Sequence, residues 1–187
     1  MIHMILTEQR IREAARLSKS IRLDEAVFEF SEKKGYDLFI SHSFKDKELI
    51  RGLYSLFQMA GYNVYIDWID DPNLNRAKVD ENTAKLIKHR MDSCKAMAYV
   101  STVNSPTSKW CPWELGYGDG KLGKVCIIPV MNGTYDGQEY LKLYPYLEYS
   151  KYANKPDMDF WVQDQNDDRK YILLKSWLEG RLPCLHE

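Results

Sequence analysis

The sequence predicts an α/β domain with a central parallel sheet of about five strands and helices on both faces. Short apolar runs rich in β-branched and aromatic residues alternate with longer segments whose apolar residues recur at the helical period. Glycines or polar turn residues separate the two kinds of segment. Strands that alternate with helices form parallel sheets, because each helix returns the chain to the same edge of the sheet.

Five segments are predicted as strands, because they are short and apolar and contain residues that favour extended backbone. They are residues 36–41, 62–66, 96–101, 125–130 and a short run near 147–149. Ligands of parallel sheets bind beyond the carboxyl ends of the strands. Function is therefore expected near Ser41, Asp67, Ser101 and residues 129–130, and at the helices that begin beside these strand ends.

The predicted helices begin with an N-terminal helical extension, which sets residues 1–34 apart from a domain of residues 35–187. Inside the domain, helices are predicted for residues 43–60, 79–92, 105 to about 118, and 168–181. Residues 67–78 are rich in Asp, Pro and Asn and are predicted as an irregular loop. Pro112 is tolerated only in the first turn of a helix, so its helix is expected to begin near residues 109–111.

Composition and charge exclude several classes of protein. The 187 residues carry 26 Lys and Arg against 27 Asp and Glu, and 44% are hydrophobic. The hydrophobic fraction is enough for a packed core. The near-zero net charge argues against nucleic acid as the main partner. No apolar run approaches the roughly 18 residues of a membrane span, and no signal peptide is recognised. A soluble cytoplasmic protein is therefore expected.

The cysteines indicate a reducing compartment and no metal centre. Cys94, Cys111, Cys126 and Cys184 form no CxxC pair, and no histidine stands near them at metal-ligand spacing. Cys94 and Cys126 lie in or beside apolar runs and are expected to be buried free thiols.

A glycine motif at residues 118–123 has the spacing of a nucleotide-binding loop but lies between a helix and the following strand, the reverse of the order that such a loop requires. It matches GxGxxG, and with Lys124 it nearly matches a P-loop. Both motifs need the glycines after a strand and before a helix, so that the helix N-terminus faces the phosphates. Here they follow a helix and precede a strand, so they are expected to end the helix.

A phosphoacceptor receiver domain is also set aside, because Ser101 and Thr102, not an aspartate, follow the third strand.

The most informative segment is SPTSKWCPWELG, at residues 105–116. Trp110 and Glu114 are four residues apart on a predicted helix, so they share one face. That helix begins at the carboxyl edge of the third strand, which places a carboxylate and a large ring at the ligand cleft. The alternative is that Glu114 is a solvated surface residue and that the tryptophans pack on the sheet. Spacing alone favours this alternative, since glutamates on helices are mostly exposed.

Four segments in register resemble the Toll/interleukin-1 receptor (TIR) domain family. They are YDLFISHS at 36–43, GYNVYID at 61–67, Ser101, and WCxxEL from residue 110. The resemblance covers about residues 35–180. It is closer to bacterial, NAD-cleaving members, such as those of Thoeris-like anti-phage defence, than to signalling adaptors, because the Trp-x-x-x-Glu pair is intact. It implies a flavodoxin-like fold and an enzyme that releases nicotinamide from NAD⁺ and leaves ADP-ribose or a cyclic ADP-ribose signal.

The resemblance also implies roles for individual residues. Glu114 corresponds to the family's catalytic glutamate, and Trp110 to the ring one turn before it. Residues 67–78 correspond to the BB loop, which gates the cleft and mediates self-association, so a homo-oligomer through this loop and the helices is expected. The other residues expected to bind the substrate are Ser41, Ser43, Phe44, Asp67, Trp68 and Ser101.

The implied chemistry needs few protein groups. The nicotinamide of NAD⁺ is already a cationic leaving group, so no general acid is required, and cleavage passes through an oxocarbenium-like ribose. One carboxylate can orient the ribose hydroxyls and stabilise the developing positive charge. NAD⁺ is then a substrate, no prosthetic group is expected, and an effector that responds to the product is an expected partner.

Two other functions stay open at this point. The chain could be a non-catalytic TIR module that assembles through its loop and helices, or a nucleoside ribosyltransferase-like enzyme on a related α/β fold. Nicotinamide release that depends on Glu114 distinguishes the NAD⁺-cleaving enzyme from the module. Base exchange on free nucleosides would identify the ribosyltransferase.

Overall fold

The structure is a computed structural model that describes residues 6–18, 35–71, 74, 79–130, 139–152 and 155–186. Its helices are α1 (Glu8–Ser18), α2 (Lys47–Met59), α3 (Asp67–Asp70), α4 (Glu81–Asp92), α5 (Cys111–Leu122) and α6 (Leu174–Leu178). Its strands are β1 (Tyr36–Ser41), β2 (Val64–Tyr65), β3 (Cys94–Ser101), β4 (Val125–Pro129), β5 (Tyr146–Tyr152), β6 (Lys155–Gln163), β7 (Lys170–Leu173) and β8 (Cys184–Leu185). Short 3₁₀ turns lie at Phe44–Asp46, Ser105–Thr107 and Glu139–Leu143.

One eight-stranded sheet runs through the molecule in the order β2-β1-β3-β4-β5-β6-β7-β8. Strands β2, β1, β3, β4 and β5 are parallel, which confirms the predicted sheet of about five parallel strands in the flavodoxin-like order. Strands β6, β7 and β8 extend it in antiparallel pairing, which was not predicted. The chain order reverses between β1 and β3, so the ligand crevice is expected at their carboxyl ends.

Buried side chains form one core on each face of the sheet. The first core lies beneath α1, α2 and α6, and it contains Ile40, Leu53 and Trp177. The second lies beneath α4 and α5, and it contains Tyr99, Met91 and Leu115. Helices therefore cover both faces, as predicted.

Two predicted elements are wrong in part. Residues 168–181 were expected to form one helix, but Lys170–Leu173 is strand β7 and α6 covers only Leu174–Leu178. A short apolar run cannot by itself distinguish strand from helix, and pairing with β6 decides for strand. The irregular loop predicted at 67–78 begins instead with α3. Residues 72–73 and 75–78 lie outside the described residues, as do 19–34 of the predicted extension.

The described part of the N-terminal extension packs closely on the domain. Helix α1 lies against α2, with Leu6 and Ile11 fully buried. At the crossing, Gly52 leaves no room for a side chain, because a Cβ there would overlap the backbone carbonyl oxygen of Ile11 and lie 2.8 Å from its Cγ2. α1 therefore contributes to the same core as α2. The predicted boundary at residue 34 falls outside the described residues.

The glycine motif ends a helix, as predicted. Gly118 and Gly120 lie inside α5, and Gly123 follows it with a φ of 61°. The N–H of Gly123 donates to the carbonyl oxygen of Asp119 at 3.2 Å, which closes the helix before β4 begins.

The thiols are free, and three of the four are buried. This confirms the prediction for Cys94 and Cys126, and burial raises the pKa of both thiols. Within the described residues, no group of three or more His, Cys, Asp or Glu side chains is arranged to hold a metal ion. None of the helices described is both long enough and apolar enough to span a bilayer.

Candidate active site

A buried pair, Ser41 and Glu114, lies at the carboxyl edge of the sheet. Ser41 is the last residue of β1, and its Oγ donates to Oε2 of Glu114 at 2.6 Å. Both side chains are 0% exposed. The alternative of a solvated Glu114 is therefore wrong. Glutamates are almost never fully buried unless they are paired, so this burial marks the residue as exceptional.

The start of α5 determines where Glu114 lies. Trp110 is the N-cap residue, Pro112 is in the first turn, and the N–H of Glu114 donates to the Trp110 carbonyl oxygen at 2.8 Å. Ser108 Oγ accepts from the N–H groups of Trp110 and Cys111, which satisfies free donors at the helix start. This confirms the predicted start near residues 109–111. It also puts the Glu114 carboxylate in the first turn, where the helix dipole favours negative charge.

The Trp110 ring packs into the core beneath α5 and is only 5% exposed. It meets Trp113 edge to face, with ring centroids 5.3 Å apart. Trp113 is the more exposed of the two, stacks on Tyr117, and lies with it below the Nζ of Lys88. The burial of Trp110 agrees with the alternative that this ring packs on the sheet. A contact between Trp110 and a substrate stays a prediction.

Ser101 lies on the same face of the sheet as Ser41. Ser41 is opposite Tyr99 in the parallel register, so Ser101 is one step further along β3 on that face. Its side chain is buried, and its carbonyl oxygen accepts from the N–H of Val130 at 3.0 Å. The structure therefore brings together Ser41, Ser101 and Glu114 at the ends of β1 and β3.

A carboxylate that was not predicted ties the two neighbouring loops together. Asp46, in the turn after β1, accepts from Thr102 Oγ1 at 2.7 Å and from Asn104 Nδ2 at 2.6 Å. Thr102 and Asn104 belong to the loop after β3. These partners are more than 50 residues apart in the chain, so no local pattern could have identified them.

Ser43 and Phe44 form the turn that follows β1. Ser43 Oγ accepts from the N–H of Lys45 at 3.4 Å and so caps the 3₁₀ turn. The Phe44 ring is 64% exposed, and Lys47 Nζ lies 4.1 Å from its centroid. Of the predicted substrate-binding rings, Phe44 is thus the one most open to solvent.

Trp68 packs on the face of the sheet opposite α5, the helix that carries Glu114, and Asp67 precedes it in the chain. The half-buried Trp68 packs against the core beneath α2, and its Nε1–H donates to His42 Nε2 at 3.2 Å. His42 Nδ1 is 2.9 Å from the carbonyl oxygen of Ile40. Asp67 is buried, accepts from the N–H of Trp68 at 2.8 Å, and has Oδ1 3.5 Å from His42 Nε2. Among the predicted site residues, Trp68 is therefore separated by the sheet from the Ser41–Glu114 pair.

Two aspartates after β2 anchor the chain to the sheet. Asp70 is buried and accepts from the hydroxyl of Tyr36 at 2.9 Å. Asp71 accepts from the hydroxyl of Tyr65 and receives two bonds from Arg90, at 2.8 and 2.9 Å. Burial, with the charge of Asp71 added, raises the pKa of Tyr65. Two of the acidic residues of segment 67–78, Asp70 and Asp71, thus fix the start of that segment against β1, β2 and α4.

Comparison with known proteins gives a family and named relatives. Residues 38–171 match a family model described as TIR domain. A Bacillus cereus (strain MSX-D12) protein named "Probable 3' cyclic ADP-D-ribose synthase ThsB'" is 41% identical over 161 residues, which covers 84% of this chain and 82% of that protein. "Putative cyclic ADP-D-ribose synthase TIR2" of Cytobacillus dafuensis is 36% identical over 107 residues, 57% of this chain and 28% of that protein.

Among solved structures, the TIR domain of the Toll-related receptor TRR-2 from Hydra magnipapillata aligns with a TM-score of 0.47 at 17% identity. The alignment covers 59% of this chain and 82% of that one. The family model begins in β1 and ends in β7, so it includes the whole parallel sheet and the segment that carries Glu114. Because that match spans more than half of the chain, and the Bacillus cereus relative is aligned over most of both sequences, this chain belongs to the TIR domain family.

Proposed function

We propose that this protein is an NAD⁺-cleaving enzyme that releases nicotinamide and forms ADP-ribose or a cyclic ADP-ribose as a signal in bacterial anti-phage defence. The observation that carries the proposal is the Ser41–Glu114 pair, a buried carboxylate at the carboxyl edge of the sheet in the first turn of α5. Two relatives named as cyclic ADP-D-ribose synthases support the same substrate and favour the cyclic product.

In the proposed reaction, the bond between the ribose C1′ and the nicotinamide nitrogen breaks first. Its electron pair goes to the nicotinamide, which leaves as a neutral molecule, and the ribose becomes an oxocarbenium-like cation. Glu114 orients the ribose hydroxyls and stabilises the developing charge through its carboxylate. Ser41, at the end of β1, positions that carboxylate through its direct hydrogen bond to Oε2.

The second step decides the product. Capture of the cation by water, with loss of a proton, gives ADP-ribose. Capture by an oxygen of the same ADP-ribosyl group, also with loss of a proton, gives a cyclic isomer. A site that excludes water favours internal capture, and the burial of Ser41, Ser101 and Glu114 supports that route.

The remaining residues take supporting roles in this proposal. Trp110 forms the apolar wall behind Glu114, Ser43 and the turn it caps hold polar oxygens of the substrate, and Phe44 supplies an exposed ring. Residues 67–78 act in self-association, so the enzyme works as a homo-oligomer. NAD⁺ is a substrate, not a prosthetic group. The enzyme acts in the cytoplasm, where NAD⁺ is found, and an effector responds to its product.

Incubation of concentrated protein with NAD⁺ tests the proposal directly. Nicotinamide should appear by chromatography, together with a product whose mass is that of ADP-ribose or is smaller by one water, which identifies the cyclic form. A protein that forms oligomers but releases no nicotinamide at any concentration contradicts the proposal and leaves the scaffold function. Exchange of bases on free nucleosides without NAD⁺ cleavage would assign the ribosyltransferase reaction instead.

Ser41→Ala should lower kcat for nicotinamide release by about tenfold or more, the effect of losing a hydrogen bond to a charged group. Without the Ser41 hydroxyl, Oε2 of the Glu114 carboxylate loses the hydrogen bond that it accepts from β1. Ser55→Ala is the matched control, because Ser55 is also a buried serine but donates within α2 to the carbonyl oxygen of Arg51. Equal rates for the two variants would remove Ser41 from the site.

A further inference from the structure

We infer that Asp46 is a positioning residue that keeps water away from the carboxyl ends of β1 and β3, and thereby sets how much of the product is cyclic. The inference rests on the proposed function, because it concerns the second step of the proposed reaction. The Asp46 carboxylate bonds to the loop after β3, whereas Ser41 Oγ bonds to Glu114. Asp46 therefore acts through the chain segments that it joins.

Asp46, Thr102 and Asn104 form a clamp between the turn after β1 and the loop after β3. Each carboxylate oxygen accepts one bond: Oδ2 from Thr102 Oγ1 at 2.7 Å, and Oδ1 from Asn104 Nδ2 at 2.6 Å. The loop is also bonded to itself. The N–H of Asn104 donates to Thr102 Oγ1 at 3.1 Å, and Ser105 Oγ donates to the Thr102 carbonyl oxygen at 2.9 Å. Both donors are thus presented to the carboxylate in a fixed arrangement.

The clamp uses a side chain that would ordinarily stabilise a helix start. Asp46 is the N-cap residue of α2, a position where aspartate usually accepts from a backbone N–H of the first turn. Here its side chain makes no capping bond and is turned to the loop after β3 instead. Its own N–H donates to the carbonyl oxygen of Ser43 at 2.9 Å, which fixes the carboxylate relative to the turn.

The clamp lies between buried residues and a cavity that is open to solvent. Ser43 and Ser101 are each 4% exposed, whereas the three clamp residues are half-buried. A cavity of about 260 Å³ is lined by the clamp, by Val130 and by Arg12 of α1. It is polar and large enough to hold water. Neither Ser101 nor Glu114 lines it, so the clamp separates this water from the end of the crevice that holds the carboxylate.

Access of water decides between the two captures of the ribose cation. In both, an oxygen lone pair forms a new bond to C1′, and the attacking oxygen loses one proton to solvent. The captures compete for the same cation, so water that reaches C1′ raises the share of ADP-ribose. Opening the clamp would admit water from the cavity and leave the Ser41–Glu114 bond in place. Nicotinamide release should therefore continue while the product changes.

The ratio of cyclic to linear product, measured by chromatography of NAD⁺ reactions with the full chain, tests the inference. Asp46→Ala removes both bonds and should lower the ratio about fivefold, the effect of one net hydrogen bond. Asp46→Asn can accept from Asn104 and donate to Thr102 Oγ1, so it should keep the wild-type ratio. The ratio comes from active molecules alone, so a smaller folded fraction would not change it. An Asp46→Ala enzyme with the wild-type ratio, or a wild type that forms only ADP-ribose, overturns the inference.

The matched control is Asp37→Ala. Asp37 is also a half-buried aspartate that joins separate segments, because it accepts from Lys95 Nζ at 2.8 Å and from the N–H of Asn63 at 2.9 Å. It lies at the other end of β1 and should leave the product ratio unchanged. An equal fall in this control would show a general loosening and overturn the inference.

Thr102→Val tests whether the clamp bond itself is responsible. It should lower the ratio in the otherwise wild-type chain but have no further effect in Asp46→Ala, because both changes remove the same bond. Independent, additive effects of the two changes would overturn the inference.

Hydrogen exchange gives a second readout that needs no activity. Peptides that cover residues 41–46 and 101–105 should exchange faster in Asp46→Ala than in the wild type and in Asp46→Asn, because exchange reports local opening. Equal exchange in all three proteins overturns the inference. The expected exchange in a protein whose wild type releases no nicotinamide would instead contradict the proposed function.

Discussion

Glu114→Gln is expected to lower nicotinamide release from NAD⁺ by at least about a hundredfold, the usual loss when one group that stabilises transition-state charge is removed. Glutamine has the same shape and can still accept the hydrogen bond from Ser41 Oγ, so the crevice keeps its packing. It carries no negative charge, so the ribose cation loses its main stabilisation. The measurement is the initial rate of nicotinamide formation at saturating NAD⁺, with circular dichroism to show that the fold is kept.

The matched control for this prediction is Glu148→Gln. Glu148 is also a buried glutamate, but it lies within β5, away from the β1–β3 crevice. The control should cleave NAD⁺ at the wild-type rate. If Glu114→Gln also does so, Glu114 has no part in the reaction, and the proposed mechanism fails even if NAD⁺ is cleaved.

Gly52→Ala should destabilise the protein by about 1–3 kcal/mol, the usual cost of forcing an extra carbon into a packed interior. The new Cβ would overlap the Ile11 carbonyl oxygen, so α1 and α2 would have to separate. For a chain of this length each kcal/mol lowers Tm by about 2–4 °C. Urea unfolding measures the change in free energy.

Gly120→Ala makes the same chemical change but should raise the free energy of unfolding instead of lowering it. Gly120 lies inside α5, and a Cβ there would meet no atom within 4 Å. Alanine in place of glycine in a helix interior should stabilise by roughly 0.5–1 kcal/mol. If Gly52→Ala were equally stabilising, α1 would not be packed on α2 as described, and the N-terminal extension would be separate from the domain core.

Local patterns were sufficient to predict much of the fold. Helical periodicity and short apolar runs identified α2, α4 and the five parallel strands, because amphipathic helices and buried strands each leave a repeating pattern of their own. Pro112 located the start of α5, because a proline is tolerated only where no N–H is needed. The order of the glycines and β4 excluded a phosphate-binding loop. The resemblance to TIR domains, which the family match confirmed, then directed attention to Glu114.

Long-range pairing decided what the sequence could not show. β7 is a strand because β6 supplies its partner, and the apolar run alone is equally consistent with a helix. Asp71 meets Arg90, and Asp46 meets Thr102, only after the sheet has formed.

The sequence alone determined the alternation of strands and helices, the edge of the sheet at which function is expected, and the presence of a carboxylate on the helix beside it. Spacing favoured a solvated Glu114, because most glutamates on helices are exposed. Only the tertiary structure showed that Glu114 is buried against Ser41, 73 positions away, and that Trp68 packs on the opposite face of the sheet and donates to His42. The physical reason is that periodicity reports which face of an element is apolar, whereas the burial of a polar group depends on a partner that another part of the chain brings to it.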